Sequence, residues 1–190
     1  YFTQNTPLLD TYSGAAAAYS LRKLSSSYSG SAIRVRRSSD NTEQDIGFNV
    51  FGELDTVSLL AFAGTGDAFV KTWYDQASTN DATQTTTANQ PKIVSSGAVV
   101  VDTNGSPAMD FTGTQELTSA SITAIAQPST AISVVDTTGR TNQAGYFYSL
   151  GLNAWAGIQD NGSTIRMYAG SSFVNGTSGT NTQRLDFSLF

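Results

Sequence analysis

The segment Asp67-Ala68-Phe69-Val70-Lys71-Thr72-Trp73-Tyr74-Asp75 decides the fold class of this chain. Its residues alternate with the two-residue period of a strand, so that Phe69 and Trp73 fall on one face and Val70 and Thr72 on the other. The pattern predicts a central β-strand. We expect large side chains of this kind to be mostly buried, namely Phe69, Trp73, Phe111 and Tyr148.

Short apolar runs alternate with turn residues over the rest of the chain, which indicates an all-β, antiparallel fold. Runs begin from Ile93 onward, and Asn-Gly pairs between them predict hairpin turns at Asn104-Gly105, Asn161-Gly162 and Asn175-Gly176. Two short helices are predicted near the N-terminus. One covers Ala15–Leu24, and the other covers Thr56 to Phe62, with Asp55 as its N-cap and Gly64 just past its end.

A dense charge cluster precedes the central strand, in a chain that is only 13% charged. Arginines at the end of a predicted strand are followed within a few residues by carboxylates. Because a guanidinium can hold a carboxylate through two hydrogen bonds, we expect Arg36 or Arg37 to pair with Asp40 or Asp45 and fix this loop. A solvated loop is the plain alternative, since exposed ion pairs contribute only ~0–1 kcal/mol.

Composition excludes several classes of function. The 190 residues carry a net charge of −5, so the chain has no basic surface suited to nucleic acid or an anionic membrane. Cys and His are both absent, which excludes disulfides, cysteine or histidine catalysis and His-based zinc sites within the chain. No apolar run reaches the ~18 residues of a membrane helix. Carboxylates and tyrosines are therefore the side chains that remain as candidates for catalysis.

Several uncommon strings occur in a recognisable order: the Ala15–Leu24 segment, Ile33-Arg34-Val35-Arg36-Arg37-Ser38-Ser39-Asp40, Asp45-Ile46-Gly47, Trp73-Tyr74-Asp75-Gln76 and Asn80-Asp81-Ala82-Thr83-Gln84. This order resembles the catalytic domain of the fungal arabinofuranosidase B family, and still more the related domains of bacteriophage structural proteins and exported bacterial proteins. The resemblance covers roughly residues 7 to 112 well. It implies a concanavalin A-like jelly-roll sandwich with one or two short N-terminal helices.

The resemblance also implies where catalytic residues would stand. A retaining glycosidase needs two carboxyl groups roughly 5–5.5 Å apart. The family's nucleophile segment is matched by Trp155-Ala156-Gly157-Ile158-Gln159-Asp160-Asn161-Gly162, which is one residue shorter and places Asp160 at the position of the nucleophilic Glu. The family's adjacent cysteine pair has no counterpart, and its acid/base Asp would follow Phe190. Asp160 is therefore the only catalytic candidate, and the resemblance leans towards a chain without catalysis.

Binding residues can be proposed on the same basis. Trp155 has small neighbours and could stack on a sugar, with Asp160 and Asn161 beside it. Asp75 and Gln76 are expected to satisfy backbone groups at the end of the central strand, as part of a structural network with the charge cluster. Alternatively, Asp75, Asn80 and Asp81 could ligate Ca²⁺; no other cofactor is expected.

Three functions remain open from the sequence: a non-catalytic virion surface module for attachment or assembly, a carbohydrate-binding adhesin, and an arabinofuranosidase-like hydrolase. The first is preferred. It predicts a virion or extracellular location, a cell-surface glycan and other virion proteins as partners, and a homo-oligomer. Residues 1–6 are interpreted as the end of a preceding segment or linker. Residues 7–190 are interpreted as one lectin- or glucanase-like β-sandwich domain, incomplete at its C-terminus.

Overall fold

The computed structural model describes residues 6–111, 113–119, 122, 129–136, 144–149, 156–161, 164–169, 172–177 and 183–189. The chain divides into two compact units, Tyr1–Ala124 and Ile125–Phe190. None of the helices in the described ranges has the length and apolarity required to cross a membrane. The interpretation of residues 7–190 as a single domain stays a prediction.

The described residues of the first unit form two helices and seven strands. They are α1 (Leu8–Thr11), β1 (Ile33–Arg37), β2 (Glu43–Ile46), α2 (Thr56–Ala63), β3 (Ala68–Trp73), β4 (Ala82–Thr83), β5 (Lys92–Ser95), β6 (Ala98–Val99) and β7 (Thr118–Ser119), with a 3₁₀ turn at Thr87–Asn89. The second unit contains β8 (Ser129–Val135), β9 (Ala144–Ser149), β10 (Ala156–Asn161), β11 (Thr164–Ala169), β12 (Ser172–Thr177) and β13 (Gln183–Leu189).

Strand β3 is the centre of the first unit, as its alternation predicts. One edge pairs antiparallel with β1, which pairs in turn with β2. The other edge is shared, because β5 pairs with Ala68 and Phe69 while β4 pairs with Thr72 and Trp73. Strands β6 and β7 extend these two branches. The loop that follows β3 therefore starts in the middle of a sheet. The strands on both sides of β3 constrain the position of this loop.

The alternation of β3 is correct, and its aromatic side chains are less deeply buried than its small ones. Ala68 and Val70 are fully buried and belong to the hydrophobic core, whereas Phe69, Trp73 and Phe111 are partly exposed. Charged groups lie over the ring of Phe69, with Arg36 Cζ 5.0 Å and Lys92 Nζ 5.6 Å from its centroid. The side chain of Tyr148, in β9, lies outside the described part.

Helix α2 confirms the second helix prediction. It runs from Thr56 to Ala63, and the carboxylate of Asp55 accepts a hydrogen bond of 3.1 Å from the backbone N–H of Ser58. Gly64 follows the helix with φ at 63°, a conformation in which glycine carries no Cβ penalty. Leu59, Phe62 and Ala63 enter the core, which explains why the helix forms where the sequence predicts it.

The predicted Ala15–Leu24 helix is wrong. This segment contains no helix, and the short helix of the region is α1, at Leu8–Thr11. Alanine-rich sequence favours a helix, but isolated helices this short are marginal in water. Tertiary hydrogen bonds from Asp75 and Gln76 engage the backbone of the segment instead.

One of the three predicted Asn-Gly turns is confirmed. Gly105 has φ at 81° in a turn closed by the bridge between Val101 and Pro107. Strands β10 and β11 form an antiparallel pair, but Gly162 lies outside the described residues, so the turn at Asn161-Gly162 stays a prediction. The prediction of a turn at Asn175-Gly176 is wrong. These two residues lie inside β12, which pairs with β11 through six consecutive residue pairs.

The described strands of the second unit form two antiparallel sheets. One has the order β12-β11-β10-β9, and the other pairs β13 with β8. Strand β13 pairs with β8 from Gln183↔Val135 to Leu189↔Ser129. The chain is mostly antiparallel β-structure with few helices, which is consistent with a β-sandwich.

Candidate functional site

Asp75 ends the central strand and forms the most connected buried polar site of the first unit. It is only 2% exposed. Its Oδ1 accepts hydrogen bonds from the N–H groups of Ala18, at 2.8 Å, and Ala77, at 2.9 Å. Its Oδ2 accepts from Ser78 Oγ at 2.5 Å and from the N–H of Asn80 at 3.2 Å. A buried carboxylate requires such donors, because an unpaired buried charge is strongly unfavourable.

Gln76 holds the N-terminal segment from the same position. Its Oε1 accepts a hydrogen bond of 2.7 Å from the N–H of Leu24. Its Nε2 donates to the carbonyl oxygens of Ser20, at 3.0 Å, and Arg22, at 2.9 Å. The Gln76 backbone N–H also donates to the carbonyl of Ala18, at 2.8 Å. The Gln76 side chain thus binds three backbone groups that would pair within the segment if it were a helix.

A ladder of charged side chains crosses the β2-β1-β3 face. Arg34 Nε donates to Glu43 Oε2 at 2.9 Å, and Lys71 Nζ donates to Glu43 Oε1 at 2.6 Å. Asp45 accepts from Arg34 Nη1, at 3.3 Å, and from the Tyr74 hydroxyl, at 2.7 Å. Both carboxylates are therefore bound by cationic side chains, which makes them unsuited to act together as an acid–base pair.

The structure separates the two arginines of the predicted network. Arg37 forms the two-bonded pair with Asp40, at 3.1 Å from Nε and 2.6 Å from Nη2. Arg36 is buried without a carboxylate partner among the described residues. Its Nε donates to Gln90 Oε1 at 2.7 Å and its Nη1 to Asn41 Oδ1 at 2.8 Å. Asp45 joins the ladder instead, and Asp75 with Gln76 forms a separate network.

Three of the carboxylates described above have lowered pKa values. Burial alone would raise the pKa of Asp75, but hydrogen bonds from Ser78 and from backbone N–H groups bring this pKa below its usual value. The Lys71 ammonium lowers the pKa of Glu43, and the Arg37 guanidinium lowers the pKa of Asp40 well below its usual range. A glycosidase acid needs a raised pKa, so these groups are unsuited to that role.

No group of three or more Asp and Glu side chains in the described part of the chain could hold a metal ion. The oxygens of Asp75 already accept the hydrogen bonds given above. Asp81 Oδ1 accepts from the N–H of Asp75 at 2.9 Å, and Asn80 donates from its amide to the carbonyl of Ala16 at 3.0 Å. The fold brings these three residues together. Protein donors already bind the carboxylate oxygens that Ca²⁺ would need.

The residues proposed for catalysis and sugar binding belong to the second unit. Asp160 and Asn161 are the last two residues of β10, an interior strand that pairs with both β9 and β11. Asp160 faces Ile165 on one side and Gly145 on the other in the backbone register. The register with β9 shifts between Ile158 and Gln159. Trp155 lies outside the described residues, as do the side chains of this strand.

Sequence reasoning missed an open cavity in the first unit, with a volume of about 340 Å³. It is lined by residues of two segments, 23–31 and 47–49, and includes Lys23, Tyr28, Phe48 and Asn49. The Tyr28 and Phe48 rings meet edge to face with centroids 6.3 Å apart. No spacing pattern predicts this cavity, because its two segments meet only through the fold.

The chain matches the family model of the catalytic domain of α-L-arabinofuranosidase B over residues 4–148. Three solved structures share its fold. An arabinofuranosidase complexed with arabinofuranosyl-α-1,2-xylobiose aligns with a TM-score of 0.60 and 18% identity, over 84% of this chain and 40% of that chain. A GH54 α-L-arabinofuranosidase mutant soaked with 4-nitrophenyl α-L-arabinofuranoside aligns with a TM-score of 0.57 and 20% identity, over 84% and 40%.

The third structure, a GH54 α-L-arabinofuranosidase soaked with a cyclic sulfate inhibitor, aligns with a TM-score of 0.52 and 17% identity, over 86% of this chain and 44% of that chain. The chain thus spans 40–44% of the length of these enzymes. A comparison with curated protein sequences gave no match.

These findings overturn the preferred sequence interpretation. The non-catalytic virion module is wrong, because the matching family model is a glycoside hydrolase catalytic domain and the similar structures are arabinofuranosidases. Nothing in them connects the chain with bacteriophages, tail fibres or adhesion. The arabinofuranosidase B part of the resemblance is confirmed by a match over more than half of the chain. The chain belongs to the α-L-arabinofuranosidase B catalytic family.

Proposed function

We propose that the protein containing this chain is a glycoside hydrolase that releases α-L-arabinofuranosyl units from a carbohydrate. The family match over residues 4–148 is the observation that carries this proposal. The three structural neighbours support it, since their names describe arabinofuranosidases. We further propose that the antiparallel sheets belong to a concanavalin A-like jelly roll, the finer architecture that the resemblance implies.

The proposal assigns Asp160 the role of nucleophile. The carboxylates of the first unit with lowered pKa values are held by hydrogen-bond donors, which reduces their reactivity. Asp160 lies on an interior strand, two residues after a shift of the register with β9. Irregularities of this kind bend a strand, re-aim its side chains and are enriched beside active sites. Local bending is a physical means of positioning an aspartate where the family has the longer glutamate.

Sugar contacts are assigned to the neighbours of Asp160. Asn161 follows it directly and can offer an amide to a sugar hydroxyl. Trp155 precedes the strand and can provide a flat apolar surface for stacking. A glycan is accordingly the proposed ligand of this segment.

The test uses the full-length protein that contains this chain, because the chain covers only part of the enzymes it matches. Release of 4-nitrophenol from 4-nitrophenyl α-L-arabinofuranoside is measured for the wild type and for Asp160→Asn. We expect turnover by the wild type and a fall in kcat of at least ~100-fold in the variant, the lower end of the contribution of a positioned catalytic carboxyl group.

Asp110→Asn, the same substitution in the first unit, is the matched control and should retain wild-type turnover. A full-length protein that folds but never cleaves the substrate would overturn the proposed hydrolase. Turnover that Asp160→Asn leaves unchanged would keep the hydrolase and reject the assignment of Asp160.

A further inference from the structure

We propose that the cavity lined by Lys23, Tyr28 and Phe48 is a second carbohydrate site, which binds a pyranose unit of a neutral oligosaccharide. The choice of sugar rests on the proposed function, because one structural neighbour is complexed with an arabinofuranosyl-xylobiose. The site itself rests on the geometry of the first unit. Its volume of about 340 Å³ lies at the lower end of the ~300–1,000 Å³ of small-ligand pockets, which suits one or two sugar rings.

The cavity lining combines aromatic surface with hydrogen-bonding groups. Phe48 packs against the hydrophobic core, so the aromatic wall is anchored before any ligand arrives. Ser29, Ser31, Asn49 and Lys23 add hydroxyl, amide and ammonium groups to the lining. Sugars present alternating C–H faces and hydroxyl groups, and a surface that offers both kinds of contact complements them.

One hydrogen bond anchors the Tyr28 side chain. Its hydroxyl donates to the carbonyl of Ser31 at 2.8 Å. Gly30 leaves the space that the ring occupies, because a Cβ atom there would lie 2.5 Å from the Tyr28 hydroxyl oxygen and 2.7 Å from Cζ, closer than van der Waals contact allows. A side chain at position 30 would therefore displace the ring. A side chain anchored by a hydrogen bond loses less conformational entropy when it binds a ligand.

A rigid turn beside the cavity presents an exposed aromatic residue. The turn starts at Asn49, whose Oδ1 accepts from the N–H groups of Phe51, at 2.9 Å, and Glu53, at 3.1 Å. Gly52 connects this turn to the segment 23–31 on the other side of the cavity, because the Gly52 carbonyl accepts a hydrogen bond from the N–H of Lys23 at 2.7 Å. Phe51 is nevertheless 80% exposed. Phe51 follows the lining residue Asn49 by two positions, and its exposed ring is suited to stacking on a sugar.

Lys23 contributes a hydrogen-bond donor to the cavity, but its charge does not determine which ligand binds. It forms no salt bridge within the described part of the chain, so its ammonium is available to hydroxyl oxygens. A single cation in a chain of net charge −5 does not create a site selective for anions. We therefore assign selectivity to the aromatic surfaces and to the hydroxyl and amide groups.

The experiment measures binding of a linear, unsubstituted xylo-oligosaccharide to the full-length protein by isothermal titration calorimetry. This probe lacks arabinose, so an arabinofuranosidase leaves it intact. Phe51→Ala should raise its Kd roughly 2- to 10-fold, as expected for one aromatic contact. Gly30→Ala should also raise the Kd, because it displaces Tyr28. Val57→Ala, an equally exposed apolar residue on α2, is the matched control and should not change the Kd.

Turnover of 4-nitrophenyl α-L-arabinofuranoside should be unchanged in Phe51→Ala, which separates this site from the catalytic one. The proposal is overturned if the oligosaccharide does not bind, if Phe51→Ala and Gly30→Ala bind it as the wild type does, or if only an acidic oligosaccharide binds. Binding that depends on Phe51 in a protein without turnover would support this site while rejecting the proposed hydrolase.

Discussion

At the scale of single residues, Asp75 is the side chain on which the first unit depends most directly. It is buried just after β3, and its carboxylate accepts hydrogen bonds from four donors. Three of them are backbone N–H groups. Removal of an acceptor that serves several buried donors costs more than an average hydrogen bond, because each donor keeps its desolvation penalty.

Asp75→Ala should lower the free energy of unfolding by roughly 3–5 kcal/mol, since each donor left unpaired costs about 1–3 kcal/mol. Urea unfolding followed by tryptophan fluorescence measures this loss. Asp102→Ala is the matched control. The carboxylate of Asp102 also accepts two backbone N–H groups, from Asn104 and Ser106, but in a turn exposed to water. Equal losses in the two variants would contradict the importance of burial at Asp75.

At the scale of elements, the segment 16–24 shows how tertiary contacts override local preference. Alanine, leucine, arginine and lysine all favour helix, so the segment looks helical in isolation. In the fold, its backbone groups are bound by Asp75 and Gln76, which follow the central strand more than fifty residues later. The irregular conformation is therefore a property of the sheet to which it is attached.

Gln76→Leu should increase amide hydrogen exchange in the segment 16–24 by about 10-fold or more, because the N–H of Leu24 and two carbonyl groups lose their partner. Hydrogen-exchange mass spectrometry measures this effect, with helix α2 as the internal reference. Gln44→Leu, at an exposed position of β2, is the control variant and should leave the segment protected. Unchanged exchange in Gln76→Leu would show that other contacts hold the segment.

At the scale of the whole molecule, the carboxylates link stability to pH. The pKa is lowered in each of the carboxyl groups with a resolved shift: Asp10, Asp40, Glu43, Asp55, Asp67 and Asp75. A group with a lowered pKa binds its proton more weakly in the folded state than in the unfolded state. The stabilisation is therefore present above the unfolded pKa of about 4 and is lost as the pH falls further.

The free energy of unfolding should be nearly constant between pH 7 and pH 5 and should fall steadily below about pH 4. Urea titrations at a series of pH values measure this curve. Glu43→Gln removes one contributing group, whose pKa is lowered by Lys71 and Arg34. Its curve should be less steep below pH 4 than that of the wild type. A stability that increases on acidification would contradict the direction of these pKa shifts.

The sequence by itself determined the features that depend on near neighbours in the chain. The two-residue period of β3, the Asp55 cap of α2 and the Asn104-Gly105 turn are local geometry, and each is found where the pattern predicts it. The order of short motifs also determined the family, although the virion module that it favoured is wrong. That correction required comparison with whole domains.

The tertiary structure decided what depends on distant contacts. It decided which face of β3 is buried, because Arg36 and Lys92 cover Phe69 from other strands. It removed the predicted helix at Ala15–Leu24, since long-range hydrogen bonds outweigh weak helix propensity. It also formed the cavity between segments 23–31 and 47–49. Local preferences amount to fractions of a kcal/mol per residue, whereas burial and paired polar groups contribute more at each site.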